Sequence, residues 1–291
     1  MQFTLSAQPP FSLPAVVRSH GWAQLAPFGI EEDSGRLTYV VRLESSRVVA
    51  LAIGEAPDGV SVEVDAELDP LEQTEVGGMV SWMLGLDQEF DAFYALAQEE
   101  PKLARVVERA QGRLLRSPTL FEDVVRTIST TNTQWRATIR MNAALVDHFG
   151  APLAADPARR AFPTPEQLAV LDEAALRSEA RLGYRAPYVL ELAQAVADGT
   201  LDLEALKSTA MPTPQLRKRL LAIKGVGNYA AANLLMILGR YDFLPIDSWA
   251  LKMVSREWHD GEQIGPAEVE AAFARWGEWQ GLAYWFWAWE E

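Results

Sequence analysis

The 291 residues are 49% hydrophobic, include no cysteine and carry a formal net charge of −14. This length and composition suffice for real cores in two or three domains, whereas the lack of cysteine excludes disulfides and thiolate metal sites. The N-terminus has no charged segment followed by a long apolar run, and no eighteen consecutive residues are apolar. We therefore expect no signal peptide, no membrane span and a cytoplasmic location.

The negative charge is concentrated in the first third of the chain. Residues 1–100 hold 4 Lys/Arg and 17 Asp/Glu, whereas the remaining residues hold 22 and 23. The overall charge argues against nucleic-acid binding, which depends largely on neutralising phosphates. Because the later residues are nearly neutral, they can still present a basic face locally. The three histidines, which are too far apart in sequence to predict a metal site, are His20, His148 and His259.

The first third predicts a small sheet with helices. Runs rich in β-formers are separated by turn residues such as Ser34-Gly35 and Asp58-Gly59, which indicates strands. The predicted strands cover residues 1–5, 37–43, 48–53 and 60–64. A short helix is predicted at residues 11–21 and a longer one at residues 71–97. No residue of this region has catalytic character.

From Pro101 onward the pattern is helical, with Pro or Gly at most junctions. The predicted helices cover residues 101–115, 119–130, 134–149, 165–179, 185–198, 213–223, 228–239, 248–258, 266–276 and 279–289. The predicted fold class is therefore α+β. A small α/β domain occupies residues 1–100, and an all-α body occupies residues 101–291.

The most distinctive stretch lies at residues 217–240. An apolar helix is interrupted by Gly225-Val226-Gly227, and the two glycines permit a tight hairpin whose backbone can approach another surface closely. A second helix follows, with Asn228 as its predicted N-cap. Its free N–H groups and positive dipole end suit a phosphate. The basic side chains of this hairpin are Lys218, Arg219 and Lys224.

An aspartate follows the hairpin at a predicted helix start. Gly239 should end the second hairpin helix, Pro245 should hold the next segment extended, and Asp247 should open the following helix. Capping alone is the commonest reason for an aspartate there. A functional role requires that the carboxylate also face an open cleft.

The ordered string of apolar helix, Gly-Val-Gly, alanine-rich helix, short loop and Pro-Ile-Asp resembles the helix–hairpin–helix (HhH-GPD) DNA glycosylases. The spacing from Gly227 to Asp247 fits that family. The resemblance implies a cleft between two helical subdomains in which Asp247 stabilises positive charge on the sugar and orients a water. It also implies a possible site for Na⁺ or K⁺ on the hairpin backbone carbonyls, with no cofactor required. The four-cysteine iron–sulfur cluster of some members cannot form here.

The opening Gln8-Pro9-Pro10-Phe11 resembles bacterial 3-methyladenine DNA glycosylase II, which implies a TATA-binding-protein-like sheet in residues 1–100. Two other segments resemble 8-oxoguanine glycosylase. The polar turn at residues 130–134 is similar to its plug loop, with Asn132 in the plugging position. The run Leu-Gly-Tyr-Arg-Ala at residues 182–186 implies that Tyr184 wedges the duplex and Arg185 contacts the orphaned base. Ordinary capping and a glycine-initiated helix are the alternative interpretations of these two segments.

The predicted base pocket is aromatic. Tyr229 stands where 8-oxoguanine glycosylase has its lysine nucleophile, which implies a monofunctional enzyme that uses water. Tyr284 stands where that enzyme reads its base with glutamine. With Trp249 and Trp285 nearby, the pocket would favour positively charged bases through cation–π attraction.

The sequence thus predicts a monomeric, monofunctional DNA N-glycosylase that acts on duplex DNA with damaged bases, chiefly alkylated purines. Asn132, Tyr184 and Arg185 keep an oxidised-purine glycosylase open as an alternative. A non-catalytic binder of damaged DNA and a protein-interaction module are the two alternatives from other classes.

Overall fold

The computed structural model describes residues 1–289. The chain divides into two compact units, the first formed by Met1–Gln88 with Arg113–Ser208 and the second by Glu89–Gly112 with the residues from Thr209 onward. The predicted domain boundary at residue 100 stays a prediction. Residues 290 and 291, which the predicted helical body included, lie outside the described residues.

A five-stranded antiparallel sheet opens the first unit, in the spatial order β1-β5-β4-β3-β2. The strands are β1 Gln2–Ser6, β2 Gly29–Ile30, β3 Leu37–Arg42, β4 Val48–Ala56 and β5 Gly59–Val64. The four predicted strands are confirmed. The edge strand β2 was not predicted, because two residues are too few to show alternation.

Helices dominate the rest of the chain, so the predicted sheet followed by a helical body is confirmed. Within residues 1–289 the α-helices are α1 Leu13–Val17, α2 Pro70–Leu84, α3 Asp91–Gln98, α4 Ala104–Glu108, α5 Leu120–Thr130, α6 Trp135–Phe149, α7 Pro165–Ala169, α8 Glu173–Ser178, α9 Ala186–Ala197, α10 Thr213–Leu221, α11 Asn228–Ile237, α12 Ser248–Trp258, α13 Pro266–Phe273 and α14 Gln280–Phe286. None of them is long and apolar enough to cross a membrane.

Two predicted helices are each split in two. The predicted helix at 71–97 is wrong as one element, because Gly85 adopts a left-handed conformation with φ of 61° and ends α2. The predicted helix at 165–179 becomes α7 and α8, and the Asp172 side chain accepts from the Ala174 N–H to start the second. At the C-terminal end, α13 and α14 are shorter than predicted, and a 3-10 segment at Ala274–Trp279 joins them.

The predicted helix at 101–115 is wrong over most of its length. A 3-10 turn covers Pro101–Leu103, and α4 ends before Ala110, whose φ is +50°. Arg113 lies after α4 in a segment without helix or strand, residues 111–117. Its buried guanidinium donates to four backbone carbonyls of the first unit, those of Gln8, Pro10, Gly85 and Gln88.

α5 ties the sheet to the helices of the first unit, and all its residues from Leu120 to Ser129 are buried. The Tyr39 hydroxyl of β3 donates to Glu122 of α5. Arg126 is fully buried beside Glu122, with 3.6 Å between its Nη2 and the carboxylate Oε2. The indole Nε1 of Trp22 donates to Oδ1 of Asp123 at 2.8 Å. Burial raises the pKa of Glu122 to about 7 and that of Asp123 to about 6, and the positive charge of Arg126 only partly opposes these two shifts.

Candidate active site

The hairpin predicted at residues 217–240 is present in the second unit. Its turn follows α10 and is closed by the Val226 N–H, which donates to the Ile223 carbonyl at 3.0 Å. Gly225 has a φ of +87°, a conformation that favours glycine. Gly227 has an ordinary φ of −91°, and a methyl group added to it would meet no atom within 4 Å. The fold therefore requires glycine at position 225 but not at position 227.

The N-terminus of α11 carries no side-chain cap. The prediction that Asn228 caps it is wrong, because Gly227 is the N-cap and Asn228 is already helical. The Asn228 Oδ1 instead accepts from Arg217 Nη2 at 2.9 Å. The same guanidinium lies 5.1 Å from the ring centroid of Phe243. The first amides of α11 thus have no side-chain acceptor, an arrangement that suits phosphate binding.

Asp247 immediately precedes α12, as predicted. Its Oδ1 accepts from the Ala250 N–H at 2.8 Å, so the carboxylate caps the helix and sits where the helix dipole favours negative charge. The residue is exposed. A carboxylate that uses one oxygen for the cap and remains accessible can still meet a reactant. The catalytic role of Asp247 stays a prediction.

Two tyrosines lie within electrostatic reach of Asp247. Burial raises the pKa of the Tyr284 hydroxyl, and the charges of Asp247 and Tyr229 raise it further. Burial, followed by the charge of Asp247, also raises the pKa of Tyr229, and a hydrogen bond from Asn233 opposes this shift. Both phenols are therefore neutral at physiological pH. The structure brings together the predicted carboxylate and two of the predicted pocket rings.

Tryptophans extend this aromatic group. Trp249 is 47% exposed, whereas Tyr284 is only 5% exposed. The two rings lie edge-on, with 6.4 Å between their centroids. Trp289 contacts both rings edge-on, at 5.5 Å from Trp249 and 5.9 Å from Tyr284. It was not among the predicted pocket residues, although it follows the predicted Trp285 by only four positions. Trp285 is half-buried in α14, and its role in the pocket stays a prediction.

The first unit brings together the three predicted extrusion residues. Asn132 is exposed in the turn between α5 and α6, with a φ of +46°. Tyr184 is 46% exposed, and its hydroxyl donates to the Thr131 carbonyl at 3.3 Å. Arg185 is only 6% exposed. Its Nη2 donates to the Thr131 carbonyl and, at 3.4 Å, to that of Asn132, while its guanidinium lies 4.4 Å from the Tyr184 ring.

The basic residues predicted for the hairpin, Lys218, Arg219 and Lys224, are exposed. Within residues 1–289, no group of three or more His, Asp or Glu side chains could hold a metal ion. The hairpin turn can offer backbone carbonyl oxygens, which are the hard donors that an alkali cation accepts. The Ile223 carbonyl is already engaged by Val226, so a Na⁺ or K⁺ would draw on the neighbouring carbonyls of the turn. This ion site stays a prediction.

Comparison with known proteins identifies the family of this chain. Residues 125–278 match the family described as HhH-GPD superfamily base excision DNA repair protein. A 120-residue stretch is 28% identical to the protein YfjP of Bacillus subtilis (strain 168), provisionally named a DNA-3-methyladenine glycosylase. That match spans 41% of this chain and only 40% of the curated relative.

Solved structures share the fold across nearly the whole chain. The 3-methyladenine DNA-glycosylase of Archaeoglobus fulgidus has a TM-score of 0.76 at 22% identity, with 98% of this chain and 97% of that chain covered. The 8-oxoguanine glycosylase/lyase of Clostridium acetobutylicum has a TM-score of 0.72 at 19% identity, with 95% and 91% covered. At these identities the likeness shows the fold alone. Because the family match covers more than half of the residues, this chain belongs to the HhH-GPD superfamily of base excision DNA repair proteins.

Proposed function

We propose that this protein is a monofunctional DNA N-glycosylase that removes alkylated purines from duplex DNA. The observation that carries the proposal is the exposed Asp247 carboxylate at the start of α12, with the phenols of Tyr229 and Tyr284 within reach of its charge. Family membership supports a repair glycosylase in general. The choice of substrate and of mechanism rests on the residues of the site.

Asp247 is assigned to the sugar. As the N-glycosidic bond breaks, positive charge grows on the deoxyribose, and a fixed carboxylate stabilises that charge more than it stabilises the ground state. The hydrogen bond from the Ala250 amide holds the carboxylate in place before the reaction. The other oxygen can orient a water and accept its proton as the water attacks C1′. The products are a free base and an intact abasic site.

Tyr229 is the reason to assign water as the nucleophile. A lyase reaction through a Schiff base needs an amine that attacks C1′. Where the resembled lyase has its lysine, this chain has Tyr229, whose phenol is neutral. Lys224 precedes the glycines and is exposed on the turn. We assign it, with Lys218 and Arg219, to the attraction of backbone phosphates. The uncapped first turn of α11 would bind one phosphate through backbone N–H groups.

The aromatic group supports cationic substrates. The half-buried Tyr229 and the exposed Trp249 offer electron-rich ring faces, while Tyr284 is buried against Trp249. Each cation–π contact contributes on the order of 0.5–2 kcal/mol. A base such as 3-methyladenine or 7-methylguanine already carries positive charge and departs without prior protonation. A site that has a carboxylate and aromatic rings, with neutral phenols, therefore matches this leaving group.

An oxidised-purine glycosylase is the second candidate. It is favoured by Asn132, Tyr184 and Arg185, which lie together in the first unit as the resemblance to 8-oxoguanine glycosylase implies. The structures of that fold include one bound to duplex DNA with 8-oxoguanine opposite cytosine. Extrusion residues act before the bond is broken, however, and do not by themselves choose the base. Tyr229 and Tyr284 give the alkylated-purine candidate its advantage.

The experiment incubates the protein with duplexes that each carry one defined lesion and identifies the released free bases. We expect release of 7-methylguanine and 3-methyladenine, strand cleavage only after alkali treatment, and no covalent adduct with borohydride. Release of 8-oxoguanine without methylated purines would overturn the substrate assignment. A borohydride-trapped complex would refute water as the nucleophile, and release of no base at all would favour a non-catalytic binder.

A further inference from the structure

The first residue of α6, Trp135, rests on an N-terminal turn that lies more than a hundred residues away in sequence. Its indole Nε1 donates to Oε1 of Gln24 at 3.0 Å. A methyl group on Gly21 would lie only 2.2 Å from Cζ2 of the indole. Glycine at position 21 therefore leaves the space that the Trp135 ring fills.

The turn that receives Trp135 is itself anchored. It is the 3-10 segment Gly21–Gln24. The side chain of its N-cap, His20, and that of Trp22 within it both reach into the buried centre of the first unit. The His20 Nε2–H donates to the Leu115 carbonyl at 2.7 Å, and Trp22 Nε1 donates to the buried Asp123 at 2.8 Å. The turn at residues 21–24 is therefore held in place. A methyl group added to Gly21 would move the Trp135 ring and not this turn.

The turn between α5 and α6, residues 131–134, is held from its other sides as well. Arg185 and Tyr184 both donate to the Thr131 carbonyl. Underneath, Thr138 Oγ1 donates to the Ser129 carbonyl at 3.1 Å. The Asn142 side chain adds a bond to the Ser129 hydroxyl at 2.9 Å. These contacts fix the backbone on both sides of the exposed Asn132, although its positive φ is costly for a residue other than glycine.

We propose that Trp135, seated on Gly21 and Gln24, is a positioning residue that holds the Asn132 turn in the shape in which it enters a duplex. This inference rests on the proposed function. A turn that is ordered in advance does not lose conformational entropy when it inserts, so more of its binding free energy opposes the cost of extruding a base. It also changes the expectation for Arg185, whose buried guanidinium holds the turn instead of reading the orphaned base. The N-terminal region would then take part in lesion search without contacting DNA.

The test displaces the Trp135 indole without substituting any residue of the 131–134 turn. In Gly21→Ala the new methyl group forces the Trp135 ring to move, whereas Gly78→Ala is the matched control because a methyl group there meets no atom within 4 Å. Gln24→Ala removes only the hydrogen bond and serves as a milder second variant. Two readouts are compared. The first is amide hydrogen exchange of residues 131–136 in the free protein, and the second is single-turnover release of the same lesion opposite its pairing partner or opposite a mismatched base.

We expect faster exchange in residues 131–136 for Gly21→Ala and Gln24→Ala, with the control unchanged. Release from the well-paired duplex should fall by about tenfold for Gly21→Ala but by less than about twofold from the mismatched duplex, because a poorly paired base costs less to extrude. Equal losses on both duplexes, or unchanged exchange, would overturn the positioning role. If the wild-type protein released no base, the proposed function would fail, but hydrogen exchange would still decide whether Trp135 orders the turn.

Discussion

At the scale of single residues, two carboxylates have opposite surroundings. Asp247 is exposed and caps α12, whereas Glu122 is buried beside Arg126 and Tyr39. Exposure leaves Asp247 available to a reactant. Burial makes Glu122 costly to ionise, and its contacts with Tyr39 and Arg126 lie inside the first unit. Composition cannot separate such residues, since both are acidic side chains near a helix start.

The buried carboxylate predicts a pH-dependent stability. Its folded pKa of about 7 exceeds the ordinary value of 4.5, so its stabilising contribution is complete below about pH 4.5 and is lost as the pH rises through 7. Glutamine cannot ionise. Relative to wild type, the free energy of unfolding of Glu122→Gln should therefore rise by on the order of 2 kcal/mol between pH 5 and pH 8.

Urea denaturation at the two pH values measures this difference. The surface variant Glu32→Gln is the control, and it should show no comparable change. His20, whose pKa burial lowers to about 4, makes the protein less stable as the pH falls below its ordinary value of 6.5. That effect is present in both proteins and cancels in the comparison. A difference between Glu122→Gln and wild type that does not change with pH would contradict the raised pKa.

At the scale of elements, the fold requires only one of the two hairpin glycines. Gly225 needs its positive φ, but Gly227 has ordinary backbone angles and open space around it. A valine at position 227 should therefore fit at its Cβ and lower stability by no more than about 1 kcal/mol, the cost of a poor N-cap residue. Its side chain should separate the α11 amides from a phosphate. We expect duplex affinity to fall about tenfold for lesion-bearing and plain DNA alike.

Fluorescence anisotropy with both duplexes, alongside thermal unfolding, tests the Gly227 prediction. Gly265→Ala is the matched control, because Gly265 is also the N-cap of a helix in the second unit. Its affinity should equal that of wild type. Weaker binding of Gly227→Val to the lesion-bearing duplex alone would argue against phosphate docking at the hairpin.

At the scale of the whole molecule, local patterns predicted the order of elements well and long-range contacts poorly. The start of α12 at Ser248 was predicted because an extended Pro-Ile segment and an aspartate lead into a periodic run. The cap of α11 was not, because Arg217, eleven residues earlier, takes the side chain of Asn228. Likewise, Ala110 has a positive φ just after α4, a conformation that its residue type does not predict.

The candidate site divides in the same way. Short motifs and a resemblance predicted Asp247 and the aromatic residues near it. In the structure, Tyr229 and Tyr284 lie within reach of the Asp247 charge. The seat of Trp135 on Gly21 was beyond prediction, since a small residue in a loop gives no sign of the distant ring that it accommodates. Burial of Arg185 was also missed, because a motif assigns a residue type to a position but not the carbonyls around it.

The most direct measurement compares base release by wild type and Asp247→Asn on a duplex with a single 7-methylguanine under single-turnover conditions. Asparagine keeps the size of the side chain and an oxygen for the cap at Ala250, but it lacks the negative charge that the cationic sugar requires. We predict that wild type releases the base and that the variant loses at least about a hundredfold in rate, with unchanged melting temperature and duplex affinity. Undiminished release by a folded Asp247→Asn would contradict the account.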